Sequence, residues 1–127
     1  MASTPEEAIR EQIMAIGDRK EIKLAETIHL PFQHYDPYAE RVFQWNRPEE
    51  IPEYFQAPAP NWAGTYCKLD SLEPVFAGEK KIAFKIEATR FNPDGSVMQT
   101  FEAIYTVLNK DGDWRVVQRN PINIFPA

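Results

Sequence analysis

The sequence has one cysteine, Cys67, so no internal disulfide can form. That fits a reducing compartment and a cytoplasmic protein, with Cys67 as a buried thiol. Lys and Arg form no run longer than Lys80-Lys81, and the net charge is −5. This argues against nucleic acid and anionic membrane as main partners. No apolar run approaches ~20 residues, so no transmembrane helix is expected. The first residues, Met1 to Glu7, are polar and acidic and do not read as a signal peptide. There is no Gly-rich phosphate loop, serine-triad motif or nucleotide fingerprint. The two histidines, His29 and His34, are five apart, which is not the helical zinc spacing, and no cysteine pair stands near them. No metal site and no cofactor are expected.

What is present is enough for one domain, residues 1–127, with a real core: 127 residues of ordinary globular composition. Ser3-Thr4-Pro5-Glu6-Glu7 is a strong helix start: a hydroxyl cap, proline at the first helical position, and carboxylates at the positive end of the dipole. Ala8, Ile9, Ile13 and Ile16 recur at helical spacing. Gly17-Asp18 breaks this helix, and Ile22, Leu24, Ala25 and Ile28 continue the apolar stripe as a second helix to about Thr27. Ile28 to Tyr35 reads as an irregular strand and Arg41 to Trp45 as a short one. A brief third helix from Arg47-Pro48 to about Phe55 leads into a proline-rich loop. Tyr66 to Phe76, interrupted at Pro74, reads as an edge or bulged strand.

The last third organises the rest. Lys81 to Phe91, Val97 to Asn109 and Trp114 to Ile124 form an antiparallel meander, turned at Asn92-Pro93-Asp94-Gly95 and Lys110-Asp111-Gly112. If each turn closes with a glycine bulge, Phe91 faces Val97 and Leu108 faces Trp114. Alternation then puts Phe84, Ile86, Ala88, Arg90, Glu102, Ile104, Trp114, Val116, Gln118 and Asn120 on one face. Phe91, Phe101, Ala103, Tyr105, Val107, Val117 and Arg119 fall on the other. That second face is too apolar for water, so a homodimer through this outer face is expected. Helices followed by a curved antiparallel sheet make an α+β domain with the helices on one sheet face.

Several short stretches resemble the nuclear-transport-factor-2-like superfamily, which includes ketosteroid isomerases and polyketide cyclases. They are Ile28 to Pro31, Leu69 to Glu73, Arg90 to Gly95, Thr100 to Tyr105 and Asp111 to Arg119. The resemblance spans nearly the whole chain and is similar to an uncharacterised bacterial branch. It implies a cystatin-like cone, N-terminal helices inside a strongly curved antiparallel sheet, with an internal pocket and dimerisation. Asp36-Pro37 resembles the Asp-Pro of ketosteroid isomerases, where the aspartate moves the proton. The isomerase's second acid falls near Ile104 and its tyrosine near Arg10, so that oxyanion hole is missing.

Within this frame the candidate catalytic residues are Glu102, Asp36 and His29. Glu102, on the apolar face, would have a burial-raised pKa suited to a general base, oriented by Gln118 and Asn120; the bland reading is a carboxylate held in a structural network. Asp36 reads otherwise as a turn residue. Either histidine offers a base, or a partly buried ring with one backbone hydrogen bond. Arg90 would bind an acidic group near the mouth. Phe84, Trp45 and Tyr54 would contact an apolar ligand, together with Gln118 and Asn120. Arg119 is expected outside, paired with Glu87. The function expected is binding, with or without turnover, of a small, mostly apolar organic molecule by isomerase, dehydratase or cyclase chemistry. The alternative is a non-catalytic ligand-binding or dimeric interaction domain.

Overall fold

The helix α1 forms where the capping residues put it, over Pro5–Ala15. Thr4 caps it, its Oγ1 accepting from the Glu7 amide at 3.1 Å, while the Glu7 carboxylate accepts from the Ser3 amide. The first bond satisfies one donor that the first turn leaves open, and the second ties down the residue before the cap. Ile9, Ile13 and Ile16 are buried along one stripe, each burial stabilising by roughly 1.5–3 kcal/mol. The structure is a computed structural model that describes residues 2–16, 23–52 and 64–127. Of the expected second helix, the described part is a short 3₁₀ turn, Leu24–Thr27. Gln12, wholly buried on α1, donates to Thr27 Oγ1 at 2.9 Å, and Thr27 donates to the Leu24 carbonyl at 2.7 Å, fastening this turn to the helix. Of the expected third helix, the described part is a 3₁₀ turn, Pro48–Glu50.

Six strands among the described residues form one sheet: β1 (Ile28–Asp36), β2 (Arg41–Trp45), β3 (Tyr66–Ala77), β4 (Lys81–Phe91), β5 (Val97–Lys110) and β6 (Asp113–Pro126). Their order is β2-β1-β6-β5-β4-β3. All neighbours are antiparallel except β1 and β6, so the sheet is mixed where an antiparallel one was expected. β3 is the expected edge strand, bulged between Pro74 and Phe76. The helix α1 packs on β3, β5 and β6. Strands lie about 4.8 Å apart, so β3 and β6 are about 14 Å apart along the sheet. One helix reaches both because the sheet curls round it. The domain is α+β with the cone architecture expected.

The first turn is as predicted. Gly95 takes φ +89°, its amide donates to the Asn92 carbonyl at 2.9 Å, and Phe91 pairs with Val97. Immediately beyond it, the register departs from expectation. Arg90 pairs with Gln99, so Met98 is an extra residue on β5, and everything after it changes face. Phe84, Ile86 and Ala88 therefore stand opposite Tyr105, Ala103 and Phe101, and all six are buried. Glu102 stands opposite Glu87 on the outer face. The second turn is a two-residue one. Asp111 and Gly112 both have positive φ, Lys110 pairs with Asp113, and Trp114 faces Asn109, not Leu108.

Val117 is a second extra residue, between the pairs Val107–Val116 and Thr106–Gln118. Trp114 and Val116 stay on the core face, but Gln118 and Asn120 turn outward and Arg119 turns in beside Tyr105. The outer face foreseen for a dimer therefore loses most of its expected apolar residues. Phe101, Ala103, Tyr105 and Val107 belong to the core, and the outer rows are instead Lys85–Ile104–Asn120 and Glu87–Glu102–Asn123.

Candidate functional site

Inside the curl, a cavity of about 320 Å³ is bounded on one side by β1 and β2 and on the other by β5 and β6. Its apolar wall is Phe43, Trp45, Phe101, Pro121 and Ile124, with Ile16 and Leu24 at the helical end. Its polar groups are His34, Asp36, Arg90, Tyr105 and Arg119, with Tyr38, Gln99 and Glu50 also lining it. At about 30 Å³ for each water-sized group, the space holds roughly ten heavy atoms.

Strand alternation places the polar groups. Phe32, His34 and Asp36 occupy alternate positions of β1, and Phe32 and His34 are buried. Across β2 they meet Trp45, Phe43 and Arg41 in turn. The His34 ring stacks on Phe43, centroids 5.3 Å apart, and tilts against Trp45 at 5.1 Å. On its other side the parallel register sets Arg119 beside His34. Burial, and then the Arg119 charge, push the His34 pKa down to about 4, against a smaller lift from Asp36. The imidazole is neutral at pH 7 and can accept a proton or a hydrogen bond.

Asp36 Oδ1 accepts from the Tyr38 amide at 2.8 Å and the Ala39 amide at 3.1 Å, which makes it the turn residue expected and also a wall of the cavity. Arg119 stands across from the fully buried Tyr105, whose phenol pKa is raised by burial. Arg119 Nε is buried without a hydrogen-bond partner among the described residues. Arg90 is 1% exposed and does structural work: its Nη1 donates to the Ile16 carbonyl at 2.9 Å and to Thr65 Oγ1 at 2.8 Å. Burial pulls its pKa below the ordinary guanidinium range. Cys67, across from Arg90 on β3, has its thiol pKa raised by burial.

Of the residues expected at the site, Asp36, Trp45 and Arg90 line the cavity. Glu102 does not: the Met98 bulge turns it outward, where its Oε1 accepts from Asn123 at 2.9 Å. Gln118 and Asn120, its expected partners, are also on the outer face, because of the Val117 bulge. Phe84 is sealed in the core and is not part of the cavity wall. His29 is away from the cavity, its Nε2 2.7 Å from the Asp113 carbonyl. Tyr54 lies outside the described residues. Arg119 and Tyr105 were expected on the opposite face. The missed signal was apolar matching: Phe84-Ile86-Ala88 finds apolar partners only in Phe101-Ala103-Tyr105, which demands an extra residue near the first turn. Among the described residues, no three His, Cys, Asp or Glu side chains are grouped to hold a metal ion. No described helix is long and apolar enough to cross a membrane.

No family model and no curated protein matches the sequence. Solved structures do match in shape. A Nostoc punctiforme protein of unknown function with a cystatin-like fold superposes with TM-score 0.74 at 13% identity, over 91% of this chain and 85% of that one. A ketosteroid isomerase candidate from Shewanella frigidimarina gives TM-score 0.70 at 10% identity, over 95% of each chain. The hexachlorocyclohexane dehydrochlorinase LinA-type3 from Novosphingobium barchaimii gives 0.66 at 14% identity, over 96% of this chain and 86% of that one. The chain thus has the cystatin-like fold of the nuclear-transport-factor-2-like proteins, ketosteroid isomerase-like ones among them.

Proposed function

We propose that the cavity binds a small, mostly apolar organic molecule and moves a proton on it without a cofactor, as isomerases and dehydratases do. The observation behind this reading is a neutral imidazole, His34, facing a 320 Å³ cavity between a carboxylate and a guanidinium. General-base catalysis needs a positioned acceptor in its basic form, within reach of the substrate and shielded from bulk water. His34 has those properties. Asp36, two residues along on the same strand, favours the imidazolium that proton transfer would create. The fold's likeness to a ketosteroid isomerase candidate and a dehydrochlorinase supports this class of chemistry by analogy.

A non-catalytic binding domain is the competing reading. It is favoured by Asp36, whose Oδ1 is engaged in holding the Tyr38 turn. One experiment separates the two. The protein is incubated in deuterium oxide with a panel of small ketones and unsaturated acids, and deuterium incorporation at carbon is read by mass spectrometry. Incorporation that disappears in His34→Gln, with binding retained, supports proton transfer. Binding with no incorporation above buffer for any member makes it a binder.

A further inference from the structure

We propose that the molecule this cavity takes is an amphipathic monocarboxylate, its carboxylate on Arg119 and its apolar body against Phe43, Trp45, Phe101 and Ile124. This rests on the cavity being a binding site and adds the class of ligand.

Charge and hydrogen bonding decide it. Two carboxylates border the cavity, and both have donors of their own. Asp36 accepts from two backbone amides. Glu50 accepts from the Asn46 amide at 3.1 Å and pairs with Arg47 at 3.3 Å. Neither is in an ion pair with Arg119 among the described residues. Arg119 has a neutral phenol beside it and a buried Nε–H with no acceptor among those residues. Leaving a buried donor unmade is costly, and more so when the group is charged. A ligand carboxylate would fill that need, since it matches the guanidinium fork with charge-assisted bonds. The second guanidinium on the wall, Arg90, already donates to the Ile16 carbonyl and Thr65, so a phosphate would carry more charge and oxygen than Arg119 and an apolar wall suit.

The position of His34 strengthens the argument. The charges acting on its ring are Arg119, beside it on β6, and Asp36 on its own strand; Tyr105, Arg90, Tyr38 and Glu50 share the cavity wall, and Arg41 lies over the Phe43 ring on β2. An anion on Arg119 would cancel the charge that opposes imidazole protonation. Its adjacent carbon would stand before His34. Binding would therefore make the base stronger at the moment it is required.

The test uses 4-phenylbutyrate and its neutral match, 4-phenylbutanol, on the whole chain. Affinity is read by calorimetry, and the site and the His34 titration by NMR. The carboxylate should bind about tenfold tighter or better, and the His34 midpoint should rise with the carboxylate and not with the alcohol. Arg119→Gln should remove the preference while leaving alcohol binding, and Arg119→Lys should restore part of it. Thermal melts of each variant check folding. Equal binding of acid and alcohol in the wild type, with resonances shifting around the cavity, would overturn the carboxylate proposal and leave the cavity reading standing. Binding of neither would overturn both.

Discussion

His34 and Arg119 stand side by side on the parallel strands β1 and β6, an imidazole and a guanidinium turned into one cavity. Burial of His34, and then the Arg119 charge, make stability depend on pH. His34 titrates near 6.5 when unfolded and at about 4 when folded. Between these values the unfolded chain binds more protons, so stability rises with pH in that window and is lost as pH falls from about 6.5 to about 4. Allowing for partial screening, the contribution is about 2 kcal/mol. Urea unfolding at about pH 7 and about pH 4.5 should show a steeper loss in the wild type than in His34→Gln. Parallel losses would remove His34 from this role.

The same two residues show what could be read from sequence. The helix start at Thr4, the edge strand broken at Pro74, the Gly95 turn and the strands themselves were all legible, because each rests on local chemistry. The bulges at Met98 and Val117 were not, because ordinary strand-forming residues occupy them and nothing local demands an extra residue. Each inverts every face beyond it. That is why Glu102 was placed in the cavity and Arg119 outside. Trp114 and Val116 were placed correctly only because the mistaken face of β5 and the mistaken second turn offset each other. Asp36 was named as a site residue, but of the two histidines His29 was named and His34 is the one at the cavity.

Glu102 should prove dispensable. It faces Glu87 directly across β4 and β5, and like charges in that position repel. Glu102→Lys should raise stability by roughly 0.2–1 kcal/mol, since giving up the exposed hydrogen bond from Asn123 costs little. Ligand binding should be unchanged. A variant that folds yet loses binding would place Glu102 at the site after all.

Truncating Trp114 should be strongly destabilising. It is 8% exposed, belongs to the core cluster, and its amide donates to the Ala2 carbonyl at 3.0 Å, tying the N-terminus to β6. Trp114→Ala should cost about 3–5 kcal/mol, the range for deleting a buried aromatic. Chemical denaturation giving a loss under about 1 kcal/mol would mean that the site collapses around the cavity or that the ring is not buried.

Arg90 lies on the cavity wall, and its hydrogen bonds predict a structural role for it. Its Nη1 bridges the Ile16 carbonyl, at the C-terminal cap of α1, and the Thr65 hydroxyl ahead of β3. A helix end has carbonyls without intrahelical donors, and at buried Ile16 the guanidinium supplies one. Arg90→Met keeps much of the stem's packing and removes these two bonds, taking this donor from the Ile16 carbonyl. Hydrogen bonds to charged groups contribute about 1.5–3 kcal/mol each, and their losses here are not independent. The expected cost is about 2–4 kcal/mol. Arg90→Lys should recover little of it, because a flexible ammonium does not reproduce the fixed fork. Amide exchange in α1 should speed up in both variants more than exchange in β5, since these two bonds are how the guanidinium fastens the helix end to the sheet. If exchange in α1 is unchanged while ligand affinity falls, Arg90 belongs to the binding machinery and not to the scaffold.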